Sequence, residues 1–211
     1  MKEIDLNKIY IARLVNRIMQ TSSVFVLWKS VKSSLNEKDA GQEKVSENKK
    51  IMDCYDGGNI FSTILFSLET TLVIELYKFF DTTKKALKLV EINNSNFGVA
   101  ESLMSEEDKI HLKEILKKNK NTIDQIGKLR KKLFGHDQKE DNEQFLLPSM
   151  DDMNNLFSAI QEIHNLISLR VSQDFYAFDD KEYDQVKFVF QQLLDDLDMG
   201  KTERIKKEDE E

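Results

Sequence analysis

Arg130 and His136 are the two side chains of this sequence best suited to chemistry. A guanidinium presents a permanent planar positive charge to a phosphate, and an imidazole exchanges protons near neutrality. Both stand at the end of a segment crowded with basic residues. Between Lys113 and Lys132, Lys113, Lys117, Lys118, Lys120, Lys128, Arg130, Lys131 and Lys132 meet only two acids, Glu114 and Asp124. The chain as a whole carries a net charge of −7, which argues against general adhesion to nucleic acid. The basic segment is therefore a local exception, and a cationic ridge leading to an Arg-His pair is the layout that a phosphodiester substrate requires.

The helix that must carry the pair can be drawn from the sequence. At about 100° per residue from Ile126, residues Leu112, Ile115, Asn119, Ile123, Leu129 and Leu133 form one stripe, all within about 60°. Arg130 falls at about +40°, inside that stripe, and His136 at about −80°, at its edge. Lys128, Lys131 and Lys132 take the opposite face, where each also suits a solvated helix surface. A guanidinium inside an apolar stripe is costly to bury alone, so it is paired, interfacial or functional. An interhelical salt bridge from Arg130 to Glu75, with His136 as a helix C-cap, is the plain alternative to a catalytic pair.

The elements around that helix read as helices too. Only 7 Gly and 1 Pro interrupt 211 residues, while 40% are hydrophobic and 33% charged, a composition of long helices with a core. Five helical segments are expected, over 5–36, 59–92, 105–135, 150–173 and 180–200. The first has 3-4 apolar spacing interrupted at Arg17, and the second is apolar on most sides. Ser105 and Ser149 are expected N-caps, followed by acids that complement the helix dipole. The polar stretch 37–50 reads as a loop, and 137–143 as an acidic loop closed by Pro148. The resulting architecture is an all-α, up-and-down bundle of four to five helices, one domain over 1–200 with a charged, disordered tail over 201–211.

Several chemistries find no support. The single cysteine, Cys54, leaves no intramolecular disulfide or cysteine zinc site and fits a cytoplasmic compartment. Gln161, not Glu, stands three residues before His164, so the di-iron bundle pattern is missing; His164 lies on an apolar stripe as a core residue, and His111 reads as surface. No phosphate-binding glycine loop, His-Glu-x-x-His or nucleophile elbow occurs. No run approaches the roughly 18 apolar residues of a membrane span, and residues 1–5 lack a signal-peptide pattern. Neither a metal, a cofactor nor a membrane is expected.

The segment Arg130-Lys131-Lys132-Leu133-Phe134-Gly135-His136-Asp137 resembles the Arg-x4-6-His signature of HEPN domains (higher eukaryotes and prokaryotes nucleotide-binding). Glu75-Leu76-Tyr77-Lys78-Phe79-Phe80-Asp81, with Thr82 to Leu87 after it, resembles the second-helix motif of the abortive-infection branch. The helix order of that superfamily covers about 10–172. The residue after the arginine is commonly Asn or Asp in the family, and here it is Lys131. The resemblance implies a HEPN-like bundle that dimerises so that two Arg-His pairs face each other. It implies a metal-independent endoribonuclease of phage defence or toxin type, with His136 as general acid/base and Arg130 stabilising the transition state. Asp81 or Glu75 would orient Arg130, and Asp137 would orient the histidine ring or cap the helix. RNA, held in part by Lys128, Lys131 and Lys132, is the expected partner, alongside a second copy and an antitoxin or defence partner protein. A noncatalytic module of the same fold, binding RNA, a nucleotide or a protein, is the alternative.

Overall fold

The structure, a computed structural model, describes residues 3–36, 41–55, 59–80, 104–134, 146–178 and 181–210. Among these residues all regular structure is helical: α1 (Glu3–Ser34), α2 (Gln42–Asp53), α3 (Asn59–Phe80), α4 (Glu106–Lys118), α5 (Lys120–Phe134), α6 (Met150–Val171) and α7 (Lys181–Glu210). The all-α expectation holds, but its bundle of four to five helices is corrected to seven among the described residues. Two local features account for the difference.

The first is α2, inside the stretch read as a loop. Gly41 precedes it with φ of 79°, a left-handed conformation that favours glycine. Val45, Asn48, Ile51 and Met52 are buried at helical spacing along it. Asn48 Nδ2 donates to the Ser34 carbonyl at 2.9 Å, tying α2 to the last turn of α1. The second is a break between α4 and α5 at Asn119, the C-cap of α4, with φ −98° and ψ 5°. The Asn119 side chain donates to the Ile115 carbonyl at 2.9 Å. An asparagine that bonds its own preceding turn competes with the helical ladder, and here it ends one helix and begins the next.

The chain divides into two compact units, residues 1–22 with 70–178, and residues 23–69 with 179–211. The core of the first is built from Leu14 and Ile18 of α1, Leu72 and Leu76 of α3, Ile126 of α5, and Met153, Leu156, Ile160 and Ile163 of α6, all fully buried. Ser105 caps α4 through a reciprocal pair with Asp108. The Asp108 carboxylate also accepts from Arg170 Nε and Nη2 at 2.7 and 3.0 Å. The Arg170 guanidinium holds that carboxyl below the usual range against its partial desolvation. The second unit centres on Val31, Ile51, Met52, Phe190 and Leu194, and its last helix runs past Gly200 to Glu210.

One expectation about α3 is also corrected: it is long and apolar enough to cross a membrane by length and composition alone. Serines and threonines divide its apolar run without making it strongly polar. Its two carboxylates are both engaged within the protein. Glu69 accepts from Trp28 Nε1 at 3.4 Å and pairs with Lys32 at 2.8 Å, while Glu75 pairs with Arg17 and Lys78.

Candidate functional site

The first unit holds the described part of the expected site, on α3 and α5. Ile126 and Leu129 are buried while Lys128, Lys131 and Lys132 are exposed, so α5 faces the way its periodicity requires. Arg130 lies between these faces, half-buried. Its guanidinium carbon sits 5.0 Å from the centroid of the Tyr77 ring, within reach of a cation–π attraction. Tyr77 thus supplies a flat support for the guanidinium, a role that sequence reading overlooked.

The carboxylate expected near Arg130 has cationic neighbours on α1 and α3. Glu75 meets Arg17 Nε at 4.0 Å and Lys78 Nζ. Residues two apart on a helix point about 200° apart, so α3 turns Tyr77 toward α5 and Glu75 toward α1. Arg17, which interrupts the apolar pattern of α1, faces that carboxylate. Glu75 therefore forms a carboxylate–cation cluster on the α1 side of α3. His136, Asp137 and Asp81 lie outside the described residues.

Close approach of α5 to Tyr77 runs through Gly127, one turn before Arg130. A Cβ added there would stand 3.8 Å from Tyr77 Cε2, an ordinary contact. Glycine in a helix interior is less favourable than alanine by roughly 0.5–1 kcal/mol. Gly127→Ala is accordingly expected to stabilise the protein by about that amount in urea denaturation. A destabilised variant would show that the close approach of α5 to Tyr77 depends on the absence of a side chain at Gly127.

The other histidines sit apart from this arrangement. His111 is exposed and its Nε2 lies 2.8 Å from Glu162 Oε1. His164 is buried, as its stripe predicts, yet neither ring nitrogen has a hydrogen-bond partner of normal geometry among the described residues. Burial pushes its pKa down to about 4, opposed by smaller effects from the Asn165 side chain and the Ile11 backbone. Tyr176 and Phe178 meet its ring edge-on, at 5.1 and 5.7 Å between centroids. Among the described residues no group of three or more His, Cys, Asp and Glu side chains is placed to hold a metal ion.

The described part of the site therefore combines an arginine seated on a tyrosine with an exposed lysine face on the same helix. Such a surface suits binding and charge stabilisation of a phosphate group. No curated protein and no solved structure matches the chain. A family model described as AbiU2, of the HEPN superfamily and its abortive-infection branch, matches residues 13–189, most of the chain, and the protein belongs to that family.

Proposed function

We propose that the protein is an endoribonuclease acting in phage defence or as a toxin, cutting RNA by attack of a ribose 2′-OH on the adjacent phosphate. His136 takes the proton from the 2′-OH and returns one to the departing 5′-oxygen. Arg130 stabilises the extra negative charge of the phosphorane-like transition state. Lys128, Lys131 and Lys132 hold the RNA backbone, and a second copy of the chain brings a second Arg-His pair to the same cleft. The reaction needs a proton carrier and a cation, both supplied by side chains, so no metal enters the proposed mechanism.

The observation that carries this reading is the family match over 13–189, which spans both the 75–87 and the 130–137 segments. The seat of Arg130 on Tyr77 supports it. The test is incubation with single-stranded RNA and with DNA of the same sequence in EDTA. RNA is expected to be cut to 2′,3′-cyclic phosphate ends, while DNA, lacking the nucleophile, stays intact. Lys131→Ala and Lys132→Ala are expected to weaken RNA binding and to reduce the slope of log affinity against log salt by about 0.7 per removed contact. An unchanged slope would move the RNA path away from this face.

Lys131 favours a second reading, because it replaces the small polar residue common after the signature arginine. That reading is a noncatalytic HEPN module that binds RNA, a nucleotide or a protein partner. RNA binding without cleavage by the wild-type protein would select it.

A further inference from the structure

A cleft of about 490 Å³ lies in the first unit, on the side of α6 that faces residues 175–178, with His111 of α4 at its rim. That volume is in the range of small-molecule sites, about 300–1,000 Å³. Its shape has a clear structural origin. Asn165 clamps the backbone of Tyr176, its Nδ2 donating to the Tyr176 carbonyl and its Oδ1 accepting from the Tyr176 N–H, each at 3.0 Å. The N–H and carbonyl of one residue point the same way only in extended backbone, and the alternate residues Tyr176 and Phe178 both meet His164, as extended geometry requires. This short strap fixes Phe175, Tyr176 and Phe178 as one wall of the cleft, facing Leu166 and Leu169 on α6.

Two features point to an occupant. Phe175 is 68% exposed and Leu169 44% exposed, so apolar surface stands in water beside a ready-made hollow. Glu162 contributes a carboxylate, with Oε1 against His111 Nε2 at the rim, and among the described residues neither lysine nor arginine lines the cleft. Aromatic faces carry negative quadrupole density and attract cations, as the carboxylate does. The chain's net charge of −7 adds to that field.

We propose that this cleft is a binding site for a small organic monocation with an apolar body, an arylalkylammonium in chemical class. The apolar body packs between Leu166, Leu169 and Phe178, and the ammonium meets the Glu162 carboxylate and an aromatic face. The site is independent of the RNA chemistry proposed for Arg130 and His136, and its test does not use RNA.

The experiment is titration of the full-length protein with phenethylammonium and phenylacetate, two probes of similar size with opposite charge, followed by calorimetry and protein-observed NMR. Phenethylammonium is expected to bind at least about 10-fold more tightly than phenylacetate, a preference set by one partly exposed charge and aromatic faces. Glu162→Gln, an exposed substitution, should bring the two probes to within about threefold of each other. Phe175→Ala should weaken phenethylammonium, and circular dichroism should show both variants as helical as the wild type. Equal binding of the two probes, no binding of either at about 10 mM, a concentration that detects contacts of only a few kcal/mol, or a charge preference that survives Glu162→Gln would each overturn the proposal.

Discussion

His136→Ala is expected to slow RNA cleavage by roughly 10²–10⁴-fold, the usual contribution of a positioned acid/base, while changing stability by less than about 0.5 kcal/mol. The proposed reaction breaks an O–H bond at the 2′ position and a P–O bond at the 5′ position. Without the imidazole the first proton must leave to water and the departing oxygen must go as an alkoxide. Arg130→Lys is expected to be nearly as slow, although it keeps the charge. An ammonium has no planar fork for two phosphate oxygens, and it loses the flat contact that seats the guanidinium on Tyr77 at 5.0 Å. Both variants should bind RNA with nearly wild-type affinity, since the lysine face is untouched. Cleavage at the wild-type rate by His136→Ala would place the activity elsewhere and make the noncatalytic module the better reading. Loss of binding together with cleavage would show instead that the pair holds substrate rather than transforms it.

Residues that break an apolar pattern were visible in the sequence, but what each of them does depends on neighbours that the pattern does not specify. Arg17 interrupts the stripe of α1, and its guanidinium faces Glu75. Asn119 sits on the stripe of the expected third helix, and it is there that the helix breaks, because the side chain takes the Ile115 carbonyl. The periodicity placed Asn119 on the inner face but carried no sign that its amide would compete with the backbone. Helix α2 was hidden for the converse reason. Its buried face includes a polar residue, Asn48, satisfied by Ser34 and Gln191, so a hydrophobic count sees only a charged stretch.

The same distinction holds at the candidate site. The wheel of α5 correctly separated Arg130 from the lysines, because a single straight helix needs no knowledge of its neighbours. Choosing a partner for Arg130 needed the rotation of α3, which one sequence does not specify. Glu75 and Tyr77 are two positions apart on a helix apolar nearly all round, so either could have faced α5. Chemical complementarity favoured the carboxylate, but packing placed the aromatic ring there, and Arg17 with Lys78 took the carboxylate. Charge matching alone gave no hint of the ring that meets the guanidinium.

Stability is expected to fall as pH drops from about 6.5 toward 4, by roughly 3 kcal/mol if the full shift of His164 is realised. The ring is fully buried, neither nitrogen has a partner of normal geometry among the described residues, and burial pushes its pKa down to about 4. An imidazole in the unfolded chain protonates near 6.5. Between those two values the unfolded state binds a proton that the folded state refuses, so the balance moves toward unfolding as pH falls. Above 6.5 both states are neutral at this position and its contribution is flat. The carboxyl groups of Asp108 and Asp195 are held below their usual range, the first by Arg170, the second mainly by Gln191 and then Lys44. Their loss of stability therefore comes at more acidic pH and does not overlap the upper part of the histidine window. His164→Leu keeps an apolar body against Tyr176 and Phe178 and removes both unpaired nitrogens, whose burial is unfavourable. Urea denaturation of this variant at pH 7 and pH 5 should give nearly equal midpoints, whereas the wild-type midpoint should fall clearly at pH 5. If the variant keeps the wild-type difference, the proton is taken up by another group, and the buried imidazole is not the source of acid sensitivity.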